Sequence, residues 1–210
     1  MKLFLSSEAL QGNLASEFTK LIGKEPKDIK VALIENAADT YVEEKKAWVY
    51  ENRATLVDAG YDVELLDLRE YKNEPEKLKE KLSGKDAVWL NGGNTFYLRW
   101  ILRETGGDNV IPKLVKAGLV YGGGSAGILV AGATLKHIEA ADDPDDAPQV
   151  IWDGMNIIKK VVMPHIGNAK YGNIMKKVVA SLEADGYEVI GVTDDQAAVF
   201  NDDKYEVVSK

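Results

Sequence analysis

Leu119-Val120-Tyr121-Gly122-Gly123-Gly124-Ser125-Ala126-Gly127, followed by Ile128-Leu129-Val130, is the stretch on which the fold turns. A short apolar run enters a cluster of glycines, one serine sits inside the cluster, and an apolar, helix-compatible run leaves it. Gly123, Ser125 and Gly127 fit the G-x-S-x-G pattern of a sharp strand-to-helix turn. Such a turn holds its central residue in a strained conformation and has no room for bulky neighbours. It pushes the serine hydroxyl outward. The next amide, that of Ala126, points with the helix N-terminus to where an oxyanion would develop. Two other readings fit the same residues. One is a glycine-rich turn with an incidental serine. The other is a dinucleotide fingerprint on Gly122, Gly124 and Gly127, with Asp142 and Asp143 downstream. The dinucleotide reading requires a crossover helix, and only Ala126 to Ala131 precede Gly132, under two turns. The hydrolase reading therefore ranks first.

Working outward, strand-like runs alternate with helical ones. Strands are expected at Lys2–Leu5, Val31–Ile34, Tyr61–Leu66, Ala87–Leu90 and the run into Gly122. Helices are expected over Glu8–Ile22 (capped by Ser6 or Ser7), Tyr41–Ala59, Pro75–Leu82, Thr95–Arg103 and Pro112–Ala117. Repeated β-α units with short connections predict an α/β fold, a three-layer sandwich with a mostly parallel sheet covered on both faces. In such sheets the site lies at the carboxyl ends of the strands. A second glycine turn, Asn91-Gly92-Gly93-Asn94-Thr95-Phe96, occupies another carboxyl end. Beyond the central turn, Ala133–Ile138 is expected as a strand, Glu139–Asp146 as an acidic loop and Ile157–Met163 as an apolar run leading into Pro164-His165. A helix over Ala169–Ala184 and a strand over Tyr187–Val192 follow. A closing hairpin turns at Asn201–Lys204. The 210 residues are expected to form a single domain.

Composition narrows the chemistry. The net charge is 26 − 34 = −8, which argues against nonspecific binding to nucleic acid or to an anionic membrane. The absence of cysteine excludes thiol catalysis, disulfides and cysteine-ligated zinc. Two histidines, His137 and His165, make a histidine-rich metal site a poor expectation. With no signal-like segment and no apolar run of membrane-spanning length, the cytoplasm is the expected compartment.

A serine hydroxyl needs a base within hydrogen-bond reach and a third group to orient that base. His165 follows a strand and sits level with both glycine turns, whereas His137 reads as an ordinary strand residue. The orienting carboxylate is expected from the acidic loop. The Gly92-Gly93 turn is placed to supply a second oxyanion amide beside that of Ala126. Against the hydrolase stands a binding or regulatory protein that kept the fold, with the Ser125–His165 pair broken; the distance between the two decides.

Asn91-Gly92-Gly93-Asn94-Thr95-Phe96, then Gly124-Ser125-Ala126-Gly127, then Pro164-His165 resemble the aspartyl dipeptidase (peptidase E) family of serine peptidases, relatives of cyanophycinase. The resemblance runs from Phe4-Leu5-Ser6-Ser7 to Asp195-Gln196-Ala197-Ala198. It implies a class I glutamine amidotransferase-like fold and hydrolysis of dipeptides or short peptides with an N-terminal aspartate, without metal or organic cofactor. Carried over, it makes Ser125 the nucleophile, His165 the base and Asp142 the triad acid, with Asp143 and Glu139 close enough to be confused with it. It puts Gly92, Gly93, Asn94 and Ala126 on the oxyanion and substrate side. Gly124 stands where the family often has a large or acidic residue, which implies a more open pocket wall. For an aspartyl side chain the candidates are Lys170 and Arg99. The expected partner is a small peptide substrate, with neither nucleic acid nor membrane, the protein being a monomer or homodimer.

Overall fold

The computed structural model describes residues 1–202 and 204–210. Of the expected turn at Asn201–Lys204, Asp203 lies outside the described residues. Five strands, β1 (Lys2–Ser6), β2 (Lys30–Ile34), β3 (Asp62–Leu65), β4 (Ala87–Leu90) and β5 (Val120–Gly124), run parallel to one another. A pair, β6 (Val161–Met163) and β7 (Val189–Gly191), forms a separate two-stranded parallel sheet. The hairpin β8 (Gln196–Asn201) and β9 (Lys204–Ser209) adds antiparallel strands to the main sheet. The order across that sheet is β3-β2-β4-β5-β1-β8-β9. β5, which ends in the glycine turn, is therefore central.

Alternation along the strands creates the layers. Phe4 of β1 packs on one face with Phe18 and Trp89, and Leu3 and Leu5 pack on the other with Leu90, Phe96 and Val161. Helix α1 (Asn13–Ile22) covers the first face through Leu14, Phe18 and Leu21, one helical stripe. It ends where Gly23, at φ 84°, donates its amide to the Thr19 carbonyl over 2.8 Å. Helix α2 (Ala47–Asp58) follows a short turn over Glu43–Lys45. The other face is covered by α3 (Pro75–Ser83), α4 (Thr95–Glu104), α5 (Gly107–Lys116) and α7 (Gly172–Ala184); α6 (Ala126–Leu129) is the one turn that leaves β5.

Four expectations shift. α1 starts at Asn13 rather than Glu8, because the Ser7 hydroxyl bonds elsewhere (below). The stretch expected as one helix over Tyr41–Ala59 is broken before α2. α5 begins five residues before Pro112, which sits in its second turn. Ala133–Ile138 forms no strand; it makes a single bridge, Thr134 to Asp153, and turns at His137, which has φ 69°. Its buried apolar residues, Leu135 and Ile138, are three apart, not two. No helix among the described residues is long and apolar enough to cross a membrane.

Candidate active site

Ser125 follows β5 directly and has φ 50° and ψ −113°, a conformation that costs energy for a side chain with a Cβ. Packing enforces it. A Cβ on Gly127 would overlap the Leu90 carbonyl oxygen, so α6 lies against the end of β4 only because residue 127 is glycine. The buried Tyr121 hydroxyl donates to the Gly127 carbonyl over 2.5 Å, and Ser125 donates its amide to the Ser7 carbonyl over 3.1 Å. The Gly92 turn approaches so closely that a Cβ there would lie 3.1 Å from that of Ser125. Gly93, at φ 136°, packs on the Ala37 carbonyl. The two glycine turns thus form one surface. Gly124 opens no pocket wall: a Cβ there would meet the Glu8 carbonyl oxygen at 2.7 Å, so main chain occupies that space.

His165 stands two residues beyond β6. Its Nε2 is 3.1 Å from Ser125 Oγ. Its Nδ1 is 2.7 Å from Asp194 Oδ1. With Nδ1–H donating to the carboxylate, Nε2 is left to accept the serine hydroxyl. Ser7 closes the arrangement: its hydroxyl accepts the His165 amide over 2.8 Å and donates to Asp194 Oδ1 over 3.0 Å. Asn168 donates to the other carboxylate oxygen over 2.6 Å. Burial acts to raise the Asp194 carboxyl, and the hydrogen bonds from Asn168, His165 and Ser7 overcome it, leaving it below its ordinary value. The imidazole also lies on the Tyr171 ring, centroids 5.4 Å apart.

The imidazole's partner is thus Asp194, which the sequence reading missed, and not Asp142. Asp142 accepts the amide of Thr95 over 3.0 Å and also its hydroxyl, at the start of α4. Burial pushes its carboxyl up. Of the residues confused with it, Asp143 accepts the Asp145 amide in an exposed turn, and Glu139 is exposed. Asn94 does not face the cleft either. Its carbonyl caps α4 through the Tyr97 amide (2.9 Å) and its amide group donates to the Asp143 carbonyl and to Asp146. Arg99 is buried, bound to Asp108 and to the Asp153 carbonyl. His137 pairs with Asp185 away from the site. Asp194 could have been found from topology. β6 and β7 are parallel with Met163 opposite Gly191, so residues just past either strand emerge together.

Ser125, His165, Gly92, Gly93 and Asp142 line a cavity of about 470 Å³. Tyr41, Trp48 and Glu51 also line it, and Lys170 is the one lysine or arginine among the described residues that do so. Lys170 lies over the Tyr171 ring and donates to its hydroxyl over 2.7 Å. The dinucleotide reading finds no support, since α6 has four residues and the space beside Gly122 is filled by the Trp89 ring.

The model of peptidase family S51 matches residues 3–208. The chain belongs to peptidase family S51. It is 30% identical over 170 residues to an uncharacterised peptidase of Listeria monocytogenes, 80% of each chain. It is 30% identical to a cyanophycinase of Nostoc over 149 residues, 67% of this chain and 48% of that protein. A crystal structure of a protein assigned as peptidase E from Listeria monocytogenes superposes with a TM-score of 0.85 at 25% identity, covering 100% of this chain and 98% of the other. The resemblance read from the two glycine turns and Pro164-His165 holds. So does the fold, an α/β sandwich of the class I glutamine amidotransferase-like kind. The S51 chain is a serine-type peptidase.

Proposed function

We propose that the protein hydrolyses dipeptides or other short peptides through an acyl-enzyme, with Ser125 as nucleophile, His165 as base and Asp194 as the group that orients it. The observation that carries this reading is the unbroken chain from Ser125 Oγ through the imidazole to Asp194, at 3.1 and 2.7 Å. A side chain turned away from Ser125 would have favoured a binding protein on the same fold. Ser125 Oγ attacks the peptide carbonyl as His165 Nε2 takes its proton. Asp194 accepts the Nδ1–H bond and steadies the imidazolium. The amides of Ala126 and Gly93 face the developing oxyanion, Ala126 being the first residue of α6, whose leading amides have no partner within the helix. His165 then gives the proton to the leaving amine, and water, activated by the same imidazole, releases the acyl group.

The size of the cavity suits a small peptide, lying within the range of about 300–1,000 Å³ usual for small-molecule sites. The preference for an N-terminal aspartate rests on Lys170, since Arg99 is bound to Asp108. Release of amino acids from Asp-Leu and Leu-Leu by the wild type and by Ser125→Ala tests both parts. Cleavage of Asp-Leu alone, lost in the variant, supports the whole reading. Equal cleavage of Leu-Leu keeps the nucleophile and removes the aspartyl preference. Cleavage that survives Ser125→Ala overturns the mechanism.

A further inference from the structure

We infer that Glu8 holds the α-ammonium group of the substrate and confines cleavage to the bond next to a free amino terminus. The inference rests on the peptidase reading above and adds to it a residue that selects the substrate.

The argument is one of reach. In the residue that acylates Ser125, the α-nitrogen is two bonds from the attacked carbon, about 2.5 Å away. When the hydroxyl reaches that carbon, a terminal ammonium lies within a few ångströms of the triad, and any carboxylate that holds it must lie there as well. Glu8 meets this condition. One of its carboxylate oxygens, a ring nitrogen of His165 and a carboxylate oxygen of Asp194 all lie within 4.8 Å of one another. The other acids of the cleft do not compete equally. Asp194 is bound to His165, and Asp142 to Thr95. Glu51, on α2, is not part of the cluster that Glu8 forms with His165 and Asp194. The Glu8 side chain has no hydrogen bond or ion pair among the described residues, although it lines the cavity.

Its place is fixed by the catalytic residues themselves. Ser7, the preceding residue, receives the Ser125 amide on its carbonyl and the His165 amide on its hydroxyl. The Glu8 carbonyl packs against Gly124, next to the nucleophile. The main chain that positions the triad therefore delivers the Glu8 carboxylate to the same spot. Burial and then the charge of Asp194 push its carboxyl up, while His165 and Lys210 act in the opposite direction. A bound ammonium would relieve the repulsion from Asp194.

The test compares one dipeptide with a free amino group and its N-acetyl form. The wild type, Glu8→Gln and Glu51→Gln are assayed, each also titrated with a fluorophosphonate that labels Ser125. Acetylation should lower kcat/KM of the wild type by about 10- to 100-fold, the size of one hydrogen-bonded charge. Glu8→Gln should label normally, raise KM for the free peptide by a similar factor with kcat far less affected, and lose the discrimination; Glu51→Gln should keep it. The inference is overturned if the wild type cleaves both forms alike in a Ser125-dependent way, or if Glu8→Gln discriminates as well as the wild type. If neither form is cleaved and Ser125 does not label, the peptidase reading itself falls. The wild-type comparison needs no variant, so a Glu8→Gln protein that failed to fold would not shield the inference.

Discussion

Ser125 and His165 are 3.1 Å apart but are supported in different ways. Ser125 stands on the central strand of a seven-stranded sheet, in a turn where backbone touches backbone through glycines. His165 and Asp194 stand beyond two three-residue strands that form a sheet of their own. They are held by hydrogen bonds to each other, between Ser7 and both, and from Asn168 to Asp194. Steric fit permits almost no substitution and needs no charge. A polar network tolerates substitution by degrees and responds to pH. Ser7 joins the two, since its carbonyl takes the Ser125 amide and its hydroxyl takes the His165 amide.

The contrast can be broken at either end. Replacing Ser125 has the largest effect: Ser125→Ala should lower kcat by about 10⁶-fold, as loss of such a nucleophile does elsewhere, with the thermal midpoint little changed, because alanine keeps the Cβ at the φ 50° position. Gly127→Ala attacks the steric side. Its methyl group would overlap the Leu90 carbonyl, so it should cost more than about 3 kcal/mol, against a usual total stability of about 5–15 kcal/mol. Calorimetry would show it as a large drop in Tm, and a Tm within a few degrees of wild type would refute the packing account.

Ser7→Ala attacks the polar side and should be milder, about 10-fold in kcat/KM with a modest loss of stability. It also has a pH signature. Asp194 is held below its ordinary value in the folded protein, so it contributes stability above the unfolded carboxylate range, and that contribution is lost as pH falls through the folded value. Removing one of the hydrogen bonds that lower it should move acid unfolding to higher pH. Acid-unfolding curves that coincide for the two proteins would contradict this role.

The same contrast explains what could be read from the sequence. Gly122 to Gly127 and Asn91 to Phe96 carry their meaning locally, because glycine in a strand-to-helix turn answers to the atoms beside it. The parallel sheet followed from apolar runs broken by helical periods. Asp194 carries no local sign. It sits beside another aspartate, Asp195, and far along the chain from His165; only the register of β6 against β7 brings it to the imidazole. The acidic loop, rich in carboxylates between Ser125 and His165, drew the expectation of the orienting group to itself, and the family resemblance then singled out Asp142 within it. Its loop serves α4 instead, Asp142 through Thr95 and Asp146 through Asn94. The start of α1 was misplaced for a related reason: the hydroxyl of Ser7, a good helix cap by type, is committed to His165 and Asp194.

The assignment of the imidazole's partner is tested most directly by comparing Asp194→Asn with Asp142→Asn in kcat/KM on a cleaved dipeptide, with Ser125 labelling as a check on folding. Asp194→Asn should lose about 10³- to 10⁴-fold, the cost of leaving a catalytic imidazole in the wrong tautomer. Asp142→Asn, which keeps the shape of the contact with Thr95, should lose less than about 10-fold. The reverse order, with Asp142→Asn the inactive protein and Asp194→Asn nearly normal, would contradict the account.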